Sequence, residues 1–348
     1  MEIRGRKVGI GEPCFIVAEA GINHNGSLDM ARQLVDVAAQ AGADAVKFQT
    51  FKAEKVISVS APKATYQLET TDAHESQLEM AKRLELPFDA FRELDNHCRQ
   101  RGLLFMSTPF DEESVDFLAG LDVPVLKIPS GEITNLPFLA YVARKGKPMI
   151  VSTGMCTLEE VETAVRVLRD AGNSDMVLLH CTSSYPADPA ESNLRAMETM
   201  RSTLGLPVGY SDHTPGIEVA LAAVALGACV IEKHFTMDRS LPGPDHRASA
   251  DPQQLSLLVR GIRDVEKALG DGRKRPMPCE MNTRVIARRS IVAARAISAG
   301  TRLAEGDLAL KRPGTGLGSE HLPNVVGRVT LRPLLRDEMI DWSVLSDD

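Results

Sequence analysis

The chain has 348 residues, of which 43% are hydrophobic and 25% are charged, which is the composition of a soluble globular protein with a sizeable core. Its net charge of −7 gives no reason to expect binding to nucleic acid or to an anionic membrane. Six scattered cysteines form no CxxC pair, and neither a signal peptide nor a membrane-spanning apolar run is present, so we expect a reduced, cytoplasmic protein.

Strand-like and helix-like segments alternate along residues 1–270. Short apolar runs predict strands, and longer amphipathic or alanine-rich runs predict helices. Residues 51–87 are predicted to form a long, irregular excursion, and such loops are usually functional. The predicted strands cover residues 14–20, 43–50, 103–106, 123–128, 148–151, 176–180, 206–208 and 228–234. The predicted helices cover residues 28–41, 88–101, 112–120, 136–145, 158–171, 192–203, 216–226 and 251–270.

This rhythm of eight strands and eight helices predicts an α/β protein with a (β/α)₈ TIM barrel. An open, doubly wound sheet is less consistent with the sequence, because polar loops follow all the strands instead of clustering at one switch point. Neither GxGxxG nor GxxxxGK[ST] is present. After a charged, proline-bearing linker at 271–282, residues 283–348 consist of short β-type runs with Gly and Pro turns. They predict a small β-rich domain.

Two histidines, His213 and His234, follow the last two predicted strands. The helix between these strands should bring both imidazoles to the same end of a parallel sheet. Either histidine alone is better explained by local hydrogen bonding, but imidazole is a common ligand of Mn²⁺, Fe²⁺, Co²⁺ and Zn²⁺. The pair is also accompanied by charged residues, namely Asp212, Glu232, Lys233 and Asp245. We therefore predict a metal or anion site here.

Polar residues also close the other predicted strands, and in a barrel these strand ends form the active site. They are Glu19, Lys47, Gln49, Ser107, Thr108, Lys127, Ser130, Ser152, Thr153, Thr182, Ser183, Tyr185 and Ser211. A single Ser or Thr at such a position is usually a helix cap, but a lysine directly after a buried strand is costly unless it is paired. Lysine charges and hydroxyl donors together suit a phosphate or carboxylate group.

Several of these residues have more than one explanation. Glu19 could support a metal, act as a general base or form an ion pair with Lys47. Asp245 lies in a Gly/Pro-rich loop and is either a turn residue or a contact for a sugar or metal. Tyr185 is either a packing residue or one wall of a pocket. The remaining histidines are weaker candidates, namely His24, His180 and His246.

Nine short motifs stand in order along the barrel region: AEAGINHNG (18–26), VKFQT (46–50), STPF (107–110), KIPSGE (127–132), STGM (152–155), HCTSSYP (180–186), GYSDHT (209–214), EKHFT (232–236) and GPDHRAS (243–249). They resemble the motifs of the sialic acid synthase family, the phosphoenolpyruvate-dependent synthases of nine-carbon sugar acids. KRPGTGLG (311–318) resembles the antifreeze-like (SAF) domain of that family. Each motif alone is weak, but the ordered set covers essentially the full chain.

The resemblance implies an N-acetylneuraminate synthase, which condenses phosphoenolpyruvate with open-chain N-acetylmannosamine and releases phosphate. It implies that Mn²⁺, or else Mg²⁺ or Co²⁺, is held by His213 and His234. It assigns phosphoenolpyruvate binding to Lys47, Thr108, Lys127, Ser130, Ser152, Ser183 and Ser211. It assigns binding or activation of the sugar to Glu19, Gln49, Tyr185 and Asp245.

The family forms a domain-swapped homodimer, in which the antifreeze-like domain covers the barrel mouth of the partner subunit. By resemblance, Arg312 of the KRPG motif contacts the N-acyl group of the sugar. Residues 283–348 carry ten basic and eight acidic side chains, whereas the rest of the chain is acidic, which is consistent with such docking.

Other functions are open at this point. A 2,4-diacetamido-trideoxyhexose, giving legionaminic or pseudaminic acid, is an alternative substrate. Two departures from the motifs of the family bear on the choice of sugar. Some members have Asn at the position of Ser183, and in the loop 65–78 Asp72 or His74 could replace a sugar-binding Asn. A synthase acting on a phosphorylated aldose would need a second basic pocket. A pyruvate aldolase would not need the two lysines. A non-catalytic carbohydrate binder would not need Lys, Glu and His together at the strand ends.

Overall fold

The computed structural model describes residues 1–72 and 74–346. The chain divides into two compact units, Met1–Gly270 and Asp271–Asp348. The first unit begins with an antiparallel hairpin of β1 (Glu2–Ile3) and β2 (Arg6–Lys7), which the sequence analysis did not predict. Two-residue strands are too short to show a periodic pattern.

Eight parallel strands form the body of the first unit. They are β3 (Phe15–Gly21), β4 (Ala45–Thr50), β5 (Leu104–Pro109), β6 (Leu126–Ile128), β7 (Met149–Ser152), β8 (Met176–Cys181), β9 (Val208–Asp212) and β10 (Val230–His234). Their order in the sheet is β5-β4-β3-β10-β9-β8-β7-β6. The first and last of these strands are therefore neighbours, and His234 pairs in register with Glu19. With β5 and β6 adjacent at the remaining seam, the sheet forms the predicted TIM barrel.

The strands alternate with helices, as predicted. The helices are α1 (Leu28–Ala41), α2 (Ala53–Val56), α3 (Thr65–Thr70), α4 (Gln77–Leu84), α5 (Phe88–Gln100), α6 (Glu112–Gly120), α7 (Leu136–Ala143), α8 (Leu158–Asp170), α9 (Ala196–Leu204), α10 (Glu218–Ala225) and α11 (Pro252–Leu269). The prediction of an irregular excursion at 51–87 is wrong, because α2, α3 and α4 lie within it. A capping box of Ser76 and Glu79 begins α4 and was a usable signal in the sequence.

Alternation along each barrel strand separates two apolar cores. Phe15 and Val17 of β3 belong to the core inside the barrel, whereas Ile16 and Ala18 belong to the larger core between the sheet and the helices. Because both faces of a strand are buried, the strands read as continuous apolar runs up to the polar residues at their C-terminal ends.

The second unit contains α12 (Met281–Ala287), the antiparallel pair β11 (Ser290–Ala293) and β12 (Leu308–Lys311), and α13 (Leu322–Val325). Isolated β-bridges extend this small sheet, in agreement with the β-rich prediction. The linker at 271–282 stays a prediction. In neither unit does the described part of the chain include a helix with the length and apolar character needed to cross a membrane.

A buried ion pair joins the C-terminal ends of β9 and β10. Lys233 Nζ lies 2.7 Å from Asp212 Oδ2, and both side chains are almost completely excluded from solvent. Asp212 Oδ1 accepts hydrogen bonds from the backbone N–H and the hydroxyl of Thr214. These two charges therefore stabilise the strand ends, although the sequence analysis grouped them with the predicted metal or anion site.

We expect Lys233→Met to lower the free energy of unfolding of the barrel by about 3–5 kcal/mol, because it leaves Asp212 buried without its partner. The double variant Asp212→Asn/Lys233→Met should lose less, because it removes both charges. Urea denaturation followed by circular dichroism measures both values against the parent chain. Equal losses in the single and double variants would show that an unpaired charge is not the cause.

Candidate active site

The C-terminal ends of all eight barrel strands contribute to the wall of a cavity of about 350 Å³. The predicted site residues brought together there are Glu19, Lys47, Gln49, Thr108, Lys127, Ser130, Ser152, Ser183, Tyr185, Ser211, His213 and His234. Asp245 and Arg312 lie outside this wall. So do three predicted strand-end residues, whose hydroxyls bond elsewhere: Ser107 to the hydroxyl of Thr50, Thr153 to the carbonyl oxygen of Leu179 and Thr182 to that of Glu191. The wall also contains Glu232, which was grouped with the histidine pair but given no role, and residues that were not predicted, namely Ala64, Tyr66, Phe110, Pro129, Gly131, Met155 and Cys181.

Four charged side chains, Glu19, Lys47, Lys127 and Glu232, form what we call the charge cluster. None of them is more than 4% exposed. Lys47 Nζ lies 2.6 Å from Glu19 Oε2 and 3.6 Å from Glu232 Oε2. Lys127 Nζ lies 3.5 Å from Glu232 Oε1. Two cations and two anions thus offset one another, as buried charges must.

The two carboxylates of the charge cluster have opposite pKa shifts. Burial raises the pKa of Glu19, and the attraction of Lys47 offsets this only in part. Burial acts in the same direction on Glu232, but Lys127 and then Lys47 outweigh it, and the pKa of Glu232 is lowered. Glu232 is therefore a fixed negative charge, whereas Glu19 is the carboxylate better able to accept a proton.

Each lysine of the charge cluster also bonds to a hydroxyl. Lys127 Nζ donates to Ser152 Oγ at 2.7 Å, and Lys47 Nζ donates to Thr108 Oγ1 at 3.0 Å. Ammonium groups held beside hydroxyl donors are suited to bind the oxygens of a phosphate or carboxylate. We call this part of the cavity, formed by Lys47, Thr108, Lys127 and Ser152, the anion half. It has the chemistry predicted from the strand ends.

A glycine turn extends the anion half. The backbone N–H of Gly154 donates to Ser130 Oγ at 2.9 Å. A Cβ atom at position 154 would lie only 2.3 Å from Ser183 Oγ and 3.0 Å from Ser130 Oγ. The absence of a side chain at Gly154 therefore allows both hydroxyls to lie against this turn.

The two predicted imidazoles lie together in the cavity wall. The ring centroids of His213 and His234 are 5.4 Å apart, and the ring of Tyr185 lies 4.3 and 5.5 Å from them. His213 Nδ1 lies 2.7 Å from the carbonyl oxygen of Thr182, so Nδ1 carries the proton and Nε2 keeps its lone pair, 3.4 Å from Ser211 Oγ. His234 Nδ1 is buried, finds no hydrogen-bond partner in the described part of the chain, and lies 3.7 Å from Asp245 Oδ2.

These features fit a divalent metal ion. Burial lowers the pKa of both His213 and His234, so both rings are neutral and able to act as ligands. Within residues 1–72 and 74–346, no group of three His, Cys, Asp or Glu side chains is arranged as a metal site. A metal held by this pair would therefore keep coordination positions for oxygens from a substrate or water.

The weaker histidine candidates lie outside the cavity wall. His180 Nε2 lies 2.8 Å from the carbonyl oxygen of Ser192, as expected for a satisfied core histidine. His246 Nδ1 lies 2.6 Å from Thr236 Oγ1. His24 Nδ1 accepts a hydrogen bond from a backbone N–H two residues further on. Burial lowers the pKa of His24 and of His246 to about 4, so both are neutral structural residues at pH 7.

The remaining predicted sugar contacts are separate from the wall. Asp245 is buried next to His234, and burial raises its pKa to about 6. Arg312 belongs to the second unit, where its Nε donates to a backbone carbonyl of α12. Asp72 and His74 do not line the cavity, and Asp72 accepts a hydrogen bond from the backbone N–H of His74.

Two of the wall residues show what the sequence analysis missed. Glu232 stands two positions before His234, so the two-residue period of a strand places both on the same face, and this signal was available. Tyr66 reaches the wall from helix α3. The sequence analysis took its site candidates from the strand ends and therefore did not include it.

The fold is a (β/α)₈ barrel whose strand-end cavity holds two buried lysines beside a pair of neutral imidazoles. The NeuB family model matches residues 34–274, and the SAF domain model matches residues 288–346. The chain therefore belongs to the NeuB family, the sialic acid synthase family that its motifs resemble. It is a carbon–carbon bond-forming synthase.

Three relatives are similar to the chain over most of its length. N,N'-diacetyllegionaminic acid synthase from Campylobacter jejuni is 49% identical, over 94% of this chain and 98% of that protein. The enzyme of the same name from Legionella pneumophila is 52% identical, over 90% of this chain and 89% of that protein. The crystal structure of N-acetylneuraminic acid synthetase from Leptospira borgpetersenii, in complex with citrate, has a TM-score of 0.73 and 37% identity, covering 81% of this chain and 94% of that one.

We expect Lys127→Met to weaken binding of inorganic phosphate about 30-fold or more, because the variant removes a buried cation from the anion half. Isothermal titration calorimetry measures the affinity. Lys52→Met is the matched control, because Lys52 pairs with Glu85 outside the cavity and should leave phosphate binding unchanged. Unchanged binding in Lys127→Met would mean that phosphate does not occupy the anion half.

The buried, neutral His24 should make the fold sensitive to acid. Its pKa is about 4 in the folded chain, below its ordinary value near 6.5, so the unfolded chain binds more protons between these values. The contribution of neutral His24 to the stability of the fold is therefore fully present above pH 6.5, and it is lost as the pH falls toward 4. We expect the parent chain to lose about 2 kcal/mol more than His24→Gln between pH 7 and pH 5. Urea denaturation at both pH values measures this, and parallel losses would contradict it.

Proposed function

We propose that the chain condenses phosphoenolpyruvate with the open-chain aldehyde of an N-acylated hexosamine and releases phosphate. The observation that carries the proposal is that one cavity contains both the anion half and the imidazole pair. The reaction needs this combination, since one substrate is an anion and the other is an electrophile.

Phosphoenolpyruvate would bind in the anion half. Its phosphate and carboxylate would take up the hydrogen bonds and charges of Lys47 and Lys127, with hydroxyl donors from Ser130, Ser152 and Ser183. This arrangement directs C3 of phosphoenolpyruvate toward the imidazole side of the cavity. The turn at Gly154 keeps the hydroxyls close to the bound anion.

The aldehyde would bind in the cavity beside the imidazoles and Tyr185, which line the same part of its wall. A divalent ion such as Mn²⁺, held by His213 and His234, would supply Lewis-acid polarisation of the aldehyde oxygen. Tyr185 packs against both imidazoles and would offer the sugar chain an aromatic surface next to them. Asp245 would keep His234 oriented from behind.

Glu19 would act as the general base. C3 of phosphoenolpyruvate forms a bond to the aldehyde carbon, the aldehyde oxygen takes up a proton, and the resulting cation at C2 takes up water. Glu19 would accept the proton that this water loses, which its raised pKa allows. The C2–O bond to phosphate then breaks, and the C2 hydroxyl gives its proton to the departing phosphate as the C2 carbonyl forms. The proton held by Glu19 replaces the one that the aldehyde oxygen took up.

For the sugar, we propose a 2,4-diacetamido-trideoxyhexose, which gives N,N'-diacetyllegionaminic acid. The resemblance of the motifs alone implied N-acetylmannosamine. The names of the Campylobacter and Legionella relatives support the first alternative instead. A phosphorylated sugar is disfavoured, because Lys47 and Lys127 are the only Lys or Arg side chains in the wall among the described residues. Both belong to the anion half.

We also propose that the enzyme is a cytoplasmic, domain-swapped homodimer in which Arg312 reaches the cavity of the partner subunit. The support is the resemblance of the KRPG motif and the excess of basic residues in 283–348.

Phosphate release from phosphoenolpyruvate tests the proposed function. The reaction is run with Mn²⁺ and one acceptor at a time: 2,4-diacetamido-2,4,6-trideoxymannose, N-acetylmannosamine, its 6-phosphate and arabinose 5-phosphate. We expect release with the first acceptor at the highest kcat/KM, and loss of release with EDTA.

His213→Ala should lose at least 100-fold in kcat, because it removes one of the two imidazoles that would hold the metal. His97→Ala is the matched control, because His97 pairs with Asp36 outside the cavity and should keep full activity. Phosphate release with a phosphorylated acceptor only would mean that the chain catalyses a different condensation, with a phosphorylated sugar. No release with any acceptor, from folded and metal-loaded protein, would refute the proposed function.

A further inference from the structure

Helix α3 brings one aromatic side chain to the cavity. Tyr66 is half-buried and lines the wall together with Ala64, the residue that precedes the helix. The ring centroid of Tyr66 lies 5.3 Å from that of Tyr185, whose ring in turn lies 4.3 Å from that of His213. A series of rings therefore leads from the imidazole pair through Tyr185 to Tyr66.

Contacts on both flanks fix α3 in this position. The backbone N–H of Gly243 donates to the carbonyl oxygen of Thr70 at 3.2 Å, and Arg247 donates to Glu69 at 3.0 Å. These bonds connect α3 to the loop that carries Asp245. On the other flank, Lys63 Nζ donates at 2.9, 2.7 and 3.1 Å to oxygens of Thr71, Asp72 and Glu75. Tyr66 therefore belongs to a fixed wall and not to a free loop.

The surroundings of Tyr66 favour apolar groups. Burial, and after it the negative charge of Asp245, raise the pKa of the Tyr66 hydroxyl. A phosphate placed beside Tyr66 would meet that same negative charge. Beside Tyr66, the wall contains the ring of Tyr185 and the apolar side chain of Ala64, two residues before Tyr66. Aromatic faces and apolar side chains together accommodate C–H and methyl groups.

We infer that Tyr66 is a specificity-determining residue for the end of the sugar farthest from the aldehyde, and that its ring selects a C6 methyl group over a C6 hydroxyl. The inference rests on the proposed function, which puts the aldehyde at the imidazole pair. A six-carbon chain that starts at His213 and passes Tyr185 ends beside the next ring of the series, which is Tyr66.

A matched pair of acceptors that differ only at C6 tests this role. They are 2,4-diacetamido-2,4,6-trideoxymannose and 2,4-diacetamido-2,4-dideoxymannose, and the quantity measured is the ratio of their kcat/KM values. We expect Tyr66→Ala to lower this ratio about tenfold, the scale on which an apolar contact discriminates. The KM for phosphoenolpyruvate should stay unchanged, because Tyr66 is outside the anion half. Tyr66→Phe should keep the ratio, because the ring is retained.

Leu68→Ala is the matched control for α3, because Leu68 is on the same helix, is 46% exposed and does not line the cavity. It should leave the ratio unchanged. If Tyr66→Ala has the same ratio of kcat/KM values as the parent, the inference is overturned. If Tyr66→Phe lowers the ratio as much as Tyr66→Ala does, the inference is also overturned, because selection then depends on the hydroxyl and not on the ring. An equal loss in Leu68→Ala overturns it by assigning selection to the helix as a whole. These outcomes are seen only with an active parent enzyme. A parent that uses neither sugar but uses N-acetylmannosamine overturns the inference and the proposed sugar, whereas a parent that uses no acceptor refutes the proposed function itself.

Discussion

Charge balance among four buried side chains is the constraint on which the rest of the site depends. Each ion of the charge cluster is tolerated only because the others lie within ion-pair distance. An anionic substrate must therefore compete with Glu19 and Glu232 for the same two lysines. Glu19 is the carboxylate that gives up its charge more easily, and its protonation frees Lys47 for a new partner. The proton that Glu19 would accept during the reaction is thus linked to the bound anion through one cation.

Side chains at the ends of the last two barrel strands alternate between the cavity and the opposite face of the strand. Ser211, His213, Glu232 and His234 line the cavity, whereas Asp212 and Lys233, the residues between them, pair with each other away from the cavity. The same strand ends therefore carry reactive groups on one face and a stabilising ion pair on the other. The imidazoles are held rigidly because the residues beside them are fixed by buried charges.

Much of this arrangement could be predicted from the sequence, because a parallel barrel places every strand end at the same mouth. The eight polar strand ends thus identified most of the cavity wall. Glu232 was grouped with the site but given no role, although the strand period places it beside His234. The short helices in 51–87 could not be predicted from periodicity, because four to eight residues show too little of it. The place of Tyr66 depends on contacts with the distant loop around Gly243, which local sequence does not encode.

The pairing of β3 with β10 has a consequence for the synthesis of the protein. Glu19 and His234 are neighbours across this pair, yet more than two hundred residues separate them along the chain. A nascent chain that has not yet reached β10 has no Glu232 to balance its two lysines, and it has strand edges at β3 and β9 that lack a partner. Until translation supplies the last strand, the half-made barrel exposes a surface for association with other chains in place of an active site.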